Sequence, residues 1–331
     1  MANLNAKDMK SIAARRLKKT SSNPKQLVLI HTGAVVVLNL VVSWLNLFLN
    51  EQIGTTGGLS GLGMRSILQT AQTLLSYFAT FFTPFWSAGF LHAMIHIARG
   101  EEAGTGDLFD GFRRFGRIMS HTLWMILIMS TACIAMMYVV CNLFVLTPFA
   151  EEFLSLMEPL LQNPEIVTAE GTLNLELLPL DALLPSMIPL FIMYAAAVIP
   201  WCLFLSYVFR MSLFLLVEGM DRGAFGSFFV SAKLMKGHKW QMLKLDLSFW
   251  WFYALEALLM AVMYLDYILP MLGVNLPMDP TAAFFIAISL YGVLEVALHW
   301  WKKAEIDVTY ATAYETIFRQ FVPYEDPAES N

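Results

Sequence analysis

The chain of 331 residues is 57% hydrophobic and only 14% charged, with a net charge of −5 and a mean hydropathy of +0.59. A soluble domain carries about 25% charged residues, so this composition argues against a water-soluble enzyme and for a chain dissolved mostly in lipid. Apolar runs recur along the whole length, which implies one membrane domain rather than two soluble ones.

The first 26 residues form a basic amphipathic segment, expected in the cytoplasm, with Lys7, Lys10, Arg15, Arg16, Lys18, Lys19 and Lys25. The apolar run that follows is long enough to span a bilayer, so a cleavable signal peptide is not expected. A span needs roughly 20 apolar residues, and six segments qualify, near 27–49, 72–97, 121–146, 187–217, 240–268 and 281–301. Pro84 lies inside the second, and Pro189 and Pro200 inside the fourth, where kinks are expected. Residues 304–331 follow as a cytoplasmic tail. The expected fold is therefore all-α, a polytopic membrane bundle of six transmembrane helices. Nine Trp and 25 Phe, several at the ends of apolar runs, fit aromatic anchoring at the interface.

Orientation follows from Lys and Arg. Of 21 basic residues, all but Arg65 fall on the side that holds both termini. That excess predicts cytoplasmic termini, and an even number of spans agrees. The opposite face is acidic: Glu151, Glu152, Glu158, Glu165, Glu170, Glu176 and Asp181 crowd residues 149–182 without a basic residue. Those acids form either a solvated outer loop or a vestibule that collects cations. The Gly-rich 54–63 reads as an outer turn; it lacks the Lys-Ser/Thr of a phosphate loop. Cys133, Cys141 and Cys202 lie in apolar runs and read as reduced thiols.

Two inner connections resemble each other. In "DLFDGFRRFGRIM", Leu108, Phe112 and Phe115 share a helical face; in "AFGSFFVSAKLMKGHKW", Phe225, Phe228, Phe229 and Ala232 do. Each is expected to be a cytoplasmic amphipathic helix with its apolar side down and its basic residues toward anionic headgroups.

"RGEEAGTGDLFDGFRRFGR", "YVFRMSLFLLVEG…SAKLMKGHKWQMLKLDLSF" and "VTYATAYETI" together resemble the bacterial integral membrane family of domain-of-unknown-function 975. That family is in turn distantly similar to membrane domains of glycerophosphodiester phosphodiesterases. The resemblance implies a six-span protein of the bacterial cytoplasmic membrane and supplies neither substrate nor reaction. The long acidic loop and Glu256 depart from the family pattern.

Ionisable residues inside spans are functional candidates. Arg210 and Asp246 lie at similar distances from the cytoplasmic ends of spans four and five, about 9–12 Å deep at 1.5 Å per residue. Equal depth on neighbouring antiparallel helices predicts an ion pair, with Glu295 near enough to join. The trio is either a gate or headgroup site, or a clamp between helices. Glu256 lies roughly 15 Å further along, where no basic residue is expected. It is therefore a protonated carboxyl bonded to a neighbouring helix or a transport carboxylate in a wet cavity. His92 and His96 have the i, i+4 spacing that can hold a metal, but no third ligand is evident, and no metal is expected. His31, His121, His238 and His299 lie near span ends and read as interfacial.

No catalytic motif stands out. The expected function is structural, regulatory, or binding of a lipid or protein partner, without enzymatic activity or cofactor. The alternative is a small secondary transporter or channel using Glu256. Expected partners are membrane lipids with anionic headgroups at the cytoplasmic face and an unidentified membrane protein. Nucleic acid is not expected.

Overall fold

The structure is a computed structural model and describes residues 5–55, 62–161, 180–219, 223–265, 268–269 and 279–321. Its elements are helical, as lipid demands: backbone groups without water must bond within their own segment. In chain order they are α1 (Ala6–Lys19), α2 (Pro24–Thr55), α3 (Leu62–Arg99), a 3-10 turn (Thr105–Phe109), α4 (Asp110–Arg113), α5 (Phe115–Val145), α6 (Pro148–Leu161), α7 (Leu180–Phe209), α8 (Ser212–Val217), α9 (Gly223–Leu234), α10 (Lys239–Leu247), α11 (Trp250–Met263) and α12 (Pro280–Phe321).

Five stretches are long and apolar enough to cross a membrane: Pro24–Ile53, Gly63–Arg99, Phe115–Val145, Pro185–Val217 and Thr281–Phe321. The span expected near 240–268 is broken: α10 and α11 meet at 65° and make a sixth crossing only if taken together. The break has a local cause. Ser248 Oγ turns back onto Leu245 O at 2.6 Å, and Phe249 leaves helical geometry at φ −114°, ψ 16°. A carbonyl freed by such a break needs a donor, and Lys10 Nζ of α1 supplies it to Ser248 O at 2.8 Å. The same ammonium sits 3.8 Å over the Phe249 ring.

The chain divides into two compact units, residues 1–122 with 208–331, and residues 123–207. In the first, α2, α3 and α12 pack against one another pairwise, with α11 on α12 and α8 on α3 and α9. The N-terminal helix does not lie free. Asn5 caps it by accepting from the Lys7 N–H, and Met9 and Ala13 are buried where it packs on α12, α3 and α10. The segment after α3 is held by close backbone approach. A Cβ on Gly89 would fall 2.0 Å from Leu108 O, and one on Gly111 would fall 1.9 Å from Phe85 O. Both positions require hydrogen side chains.

That docking changes one expectation. Leu108, Phe112 and Phe115 do not share a single amphipathic helix; they lie on the 3-10 turn, on α4 and at the start of α5 respectively. Leu108 is buried while Phe115 is exposed, because the glycine contacts fold the segment against α3. The second connection does form a helix, α9, but only Phe228 of its aromatic face is buried; Phe225 and Phe229 are exposed.

The second unit contains most of α5, α6 and most of α7. Cys133 and Cys202 bring their sulfurs to 3.6 Å, which ties α5 to α7. Large apolar side chains such as Tyr138, Leu146 and Ile192 stand exposed, the expected state of lipid-facing positions. Glu151, Glu152 and Glu158 of the acidic segment lie exposed on α6. Residues 162–179 of that segment, 56–61 of the Gly-rich turn and 322–331 of the tail lie outside the described residues.

Candidate functional site

One helix organises the polar groups of the first unit. On α12, Glu295, His299, Lys303, Asp307, Tyr310 and Tyr314 recur at intervals of three or four residues, so they line one face. Charge at this density on an otherwise apolar helix requires partners, and α2, α3, α8, α10 and α11 bring them.

At the level of Tyr310, Arg210 meets Asp246 in a two-pronged pair, Nη1 to Oδ2 at 2.5 Å and Nη2 to Oδ1 at 2.7 Å. The planar guanidinium fork suits a carboxylate in this way. The Tyr310 hydroxyl donates to Asp246 Oδ1 at 2.6 Å and lies 2.6 Å from the Tyr253 hydroxyl. Arg210 also stacks over the Tyr310 ring, 4.6 Å from its centroid. Glu295 is not part of this group. It stands beside Tyr291, His299 and Glu256, about 22 Å up the helix from Tyr310 at 1.5 Å per residue. The depth reckoning failed because the helix does not stop near Lys302; it runs unbroken to Phe321.

Glu256 does have a basic neighbour. His299 Nε2 lies 3.0 Å from its Oε1, and His299 Nδ1 lies 3.1 Å from Thr32 Oγ1. With Glu256 ionised, Nε2 carries the proton and Nδ1 accepts from the threonine hydroxyl. The chain Glu256–His299–Thr32 thus crosses from α11 through α12 to α2. His299 is buried.

Toward the end of α12, Arg99 pairs with both Glu218 and Glu315, its Nε 2.7 Å from Glu315 Oε1. Tyr314 donates to Glu218. One cation thus bridges two buried carboxylates from α12 and the end of α8.

Between the Tyr310 and His299 levels lies a cavity of about 300 Å³, within the usual range for small-molecule sites. Its polar lining is His31, Ser87, Arg210, Lys303, Asp307 and Tyr310. Its apolar lining is Phe90, Leu91, Leu213 and Phe214. Two features of the lining are unspent. Lys303 Nζ lies 3.6 Å from Asp307 Oδ2, looser than a direct ammonium–carboxylate hydrogen bond. His31 is buried, stacked on Phe90 at 4.3 Å, and neither ring nitrogen has a hydrogen-bond partner.

His92 and His96 face each other with ring centroids 4.3 Å apart. His92, Asp107 and Asp110 bring potential ligand atoms within 4.8 Å. Both carboxylates are already engaged: Asp107 Oδ2 accepts from the Gly104 N–H at 2.8 Å, and Asp110 pairs with Arg113 at 2.9 Å and His92 at 3.0 Å. The group docks the 3-10 turn and α4 onto α3.

The family described as proteins of unknown function, DUF975, matches residues 1–289. The chain belongs to that family. The match covers every candidate span but most of α12, so the Lys303–Tyr314 face of this DUF975 protein lies beyond it. No curated protein and no solved structure matches, so the expected distant similarity to glycerophosphodiester phosphodiesterase membrane domains is not shown. Reading residues by type located Arg210, Asp246 and Glu256 but missed His299, Lys303, Asp307 and Tyr310. The four-residue beat Glu295–His299–Lys303–Asp307 was the available signal, had the helix been carried past Lys303.

Proposed function

We propose that this DUF975 protein is a non-enzymatic, multi-pass protein of the bacterial cytoplasmic membrane that holds the headgroup of a membrane amphiphile in its α2–α3–α12 cavity. One observation carries this reading: the cavity joins ionic side chains to a wall of Phe90, Leu91, Leu213 and Phe214, an amphipathic lining. The distribution of basic residues supports cytoplasmic termini, and a cavity on that side would face inner-leaflet headgroups. Its size holds about ten water-sized groups, enough for a headgroup while acyl chains remain in the bilayer. The test is native mass spectrometry of protein extracted from membranes. The wild type should retain bound lipid, and Leu91→Trp, which fills the cavity without touching a charge, should retain at least about fivefold less while unfolding at a similar temperature. Equal retention by both proteins rules the reading out.

A second reading, proton-linked transport, is favoured by the Glu256–His299–Thr32 chain with Glu295 beside it. It predicts proton uptake into liposomes that Glu256→Gln abolishes. Identical uptake by empty liposomes, wild type and variant would remove it.

A further inference from the structure

We infer that the cavity takes a zwitterion, a primary ammonium tethered close to an oxyanion, as in an ethanolamine phosphate headgroup. This rests on the amphiphile-binding reading and names its ligand class, against the expectation that anionic headgroups are preferred.

The charges of the lining nearly cancel. The cavity lining carries two cations, Arg210 and Lys303, and one anion, Asp307. Arg210 is already neutralised by the two-pronged contact with Asp246. The ionised groups therefore sum to zero. An anionic headgroup would leave one uncompensated charge among Phe90, Leu91 and Phe214, which is unfavourable away from water. A zwitterion leaves the sum at zero.

Lys303 and Asp307 stand one turn apart on α12, line the cavity, and keep 23% and 20% of their side-chain surface exposed. At 3.6 Å they can separate slightly and admit a ligand whose charges are arranged in the opposite sense, oxyanion to Lys303 and ammonium to Asp307. His31 provides the independent sign of an absent partner. It is 8% exposed, lines the cavity, and has two unpartnered ring nitrogens. Buried polar atoms are rarely left so. A neutral imidazole offers one donor and one acceptor, and a phosphate oxygen beside an ammonium can meet both. An ammonium with three N–H groups can satisfy Asp307, whereas a trimethylammonium has none to give.

The headgroup of an aminophospholipid and a free amino acid or glycerophosphoethanolamine share this chemistry. The experiment separates them. Purified full-length protein is delipidated and titrated with short-chain phosphatidylethanolamine, phosphatidylcholine or phosphatidylglycerol in detergent, and separately with soluble glycerophosphoethanolamine and alanine, reading thermal stabilisation and native mass. The expected result is that phosphatidylethanolamine binds about tenfold or more tighter than the other two lipids, the factor for losing one hydrogen bond to a charged group. In Asp307→Asn that preference should disappear. The wild-type ranking alone keeps the inference testable if the variant does not fold. Phosphatidylglycerol binding as well as phosphatidylethanolamine overturns the zwitterion and leaves the amphiphile reading standing. Binding of the soluble zwitterions without the lipids supports the zwitterion and overturns the amphiphile reading. No binding by any of the five overturns both.

Discussion

Replacing Asp246 by Leu should destabilise the protein more than replacing both Asp246 and Arg210. The structure sets the magnitude. Arg210 and Asp246 are 24% and 18% exposed and 2.5 Å apart at their nearest atoms, which puts the charge centres about 4 Å apart. At an effective dielectric constant of about 20 this is worth roughly 4 kcal/mol. Removing one partner also strands the other, so Asp246→Leu and Arg210→Met should each cost about 3–5 kcal/mol. The double variant replaces the pair by two apolar side chains and removes both desolvation penalties; it should cost only about 2 kcal/mol, since Tyr310 still loses its acceptor. The expected coupling is therefore on the order of 4 kcal/mol or more. The assay is unfolding of purified protein in mixed micelles by a rising fraction of sodium dodecyl sulfate, followed by tryptophan fluorescence. If the two single losses add to the double within about 0.5 kcal/mol, the guanidinium and carboxylate do not act as a pair and the argument fails.

Gly89→Ala and Gly111→Ala each push a Cβ to about 2 Å from a carbonyl oxygen; each should cost at least about 2 kcal/mol, while Gly116→Ala, which meets nothing within 4 Å, serves as control in the same unfolding assay. His299→Phe keeps the ring but orphans Glu256 and Thr32; a loss of about 2–4 kcal/mol is expected, and wild-type stability would mean the hydrogen-bonded chain contributes nothing. Burial holds the Lys10 ammonium below its ordinary value, only partly offset by Glu305. Just below the ordinary value of 10.5 the unfolded chain then binds more protons than the native one, so stability gains with rising pH in that window. Wild type should gain on Lys10→Met between pH 8 and about 10.5, and a reversed trend counts against the partly buried amine. Mild oxidation should link Cys133 to Cys202, whose sulfurs need to close from 3.6 Å to about 2 Å; peptide mapping that finds neither thiol in a disulfide refutes the α5–α7 contact.

Much of the fold was legible because lipid enforces it. Long apolar runs spell helices, and distance from a helix end locates a charge when the helix is straight. Arg210 and Asp246 sit at equal depth by that count, and in the structure they meet. The count broke down where geometry departs from a straight rod of expected length. The bend at Ser248–Phe249 redirects Glu256, and the run of α12 past Lys303 puts Tyr310 rather than Glu295 opposite Asp246. Neither departure has an apolar signature: Ser248 is an ordinary helix residue by type, and its carbonyl is held by a lysine more than two hundred positions away. The cavity was illegible for the same reason, being assembled from α2, α3, α8 and α12 side chains that no local spacing connects.

The length of α12 has a mechanical consequence. Its 42 residues measure about 63 Å at 1.5 Å per residue, roughly twice the 30 Å thickness of a bilayer's hydrocarbon core. About half of it is surplus to one crossing, and that half is packed rather than free: Ile306, Val308, Ala311, Ala313 and Tyr314 are buried, and α1 and α3 pack on α12. Whatever α12 carries at its base is therefore braced against α1 and α3 rather than free to swing.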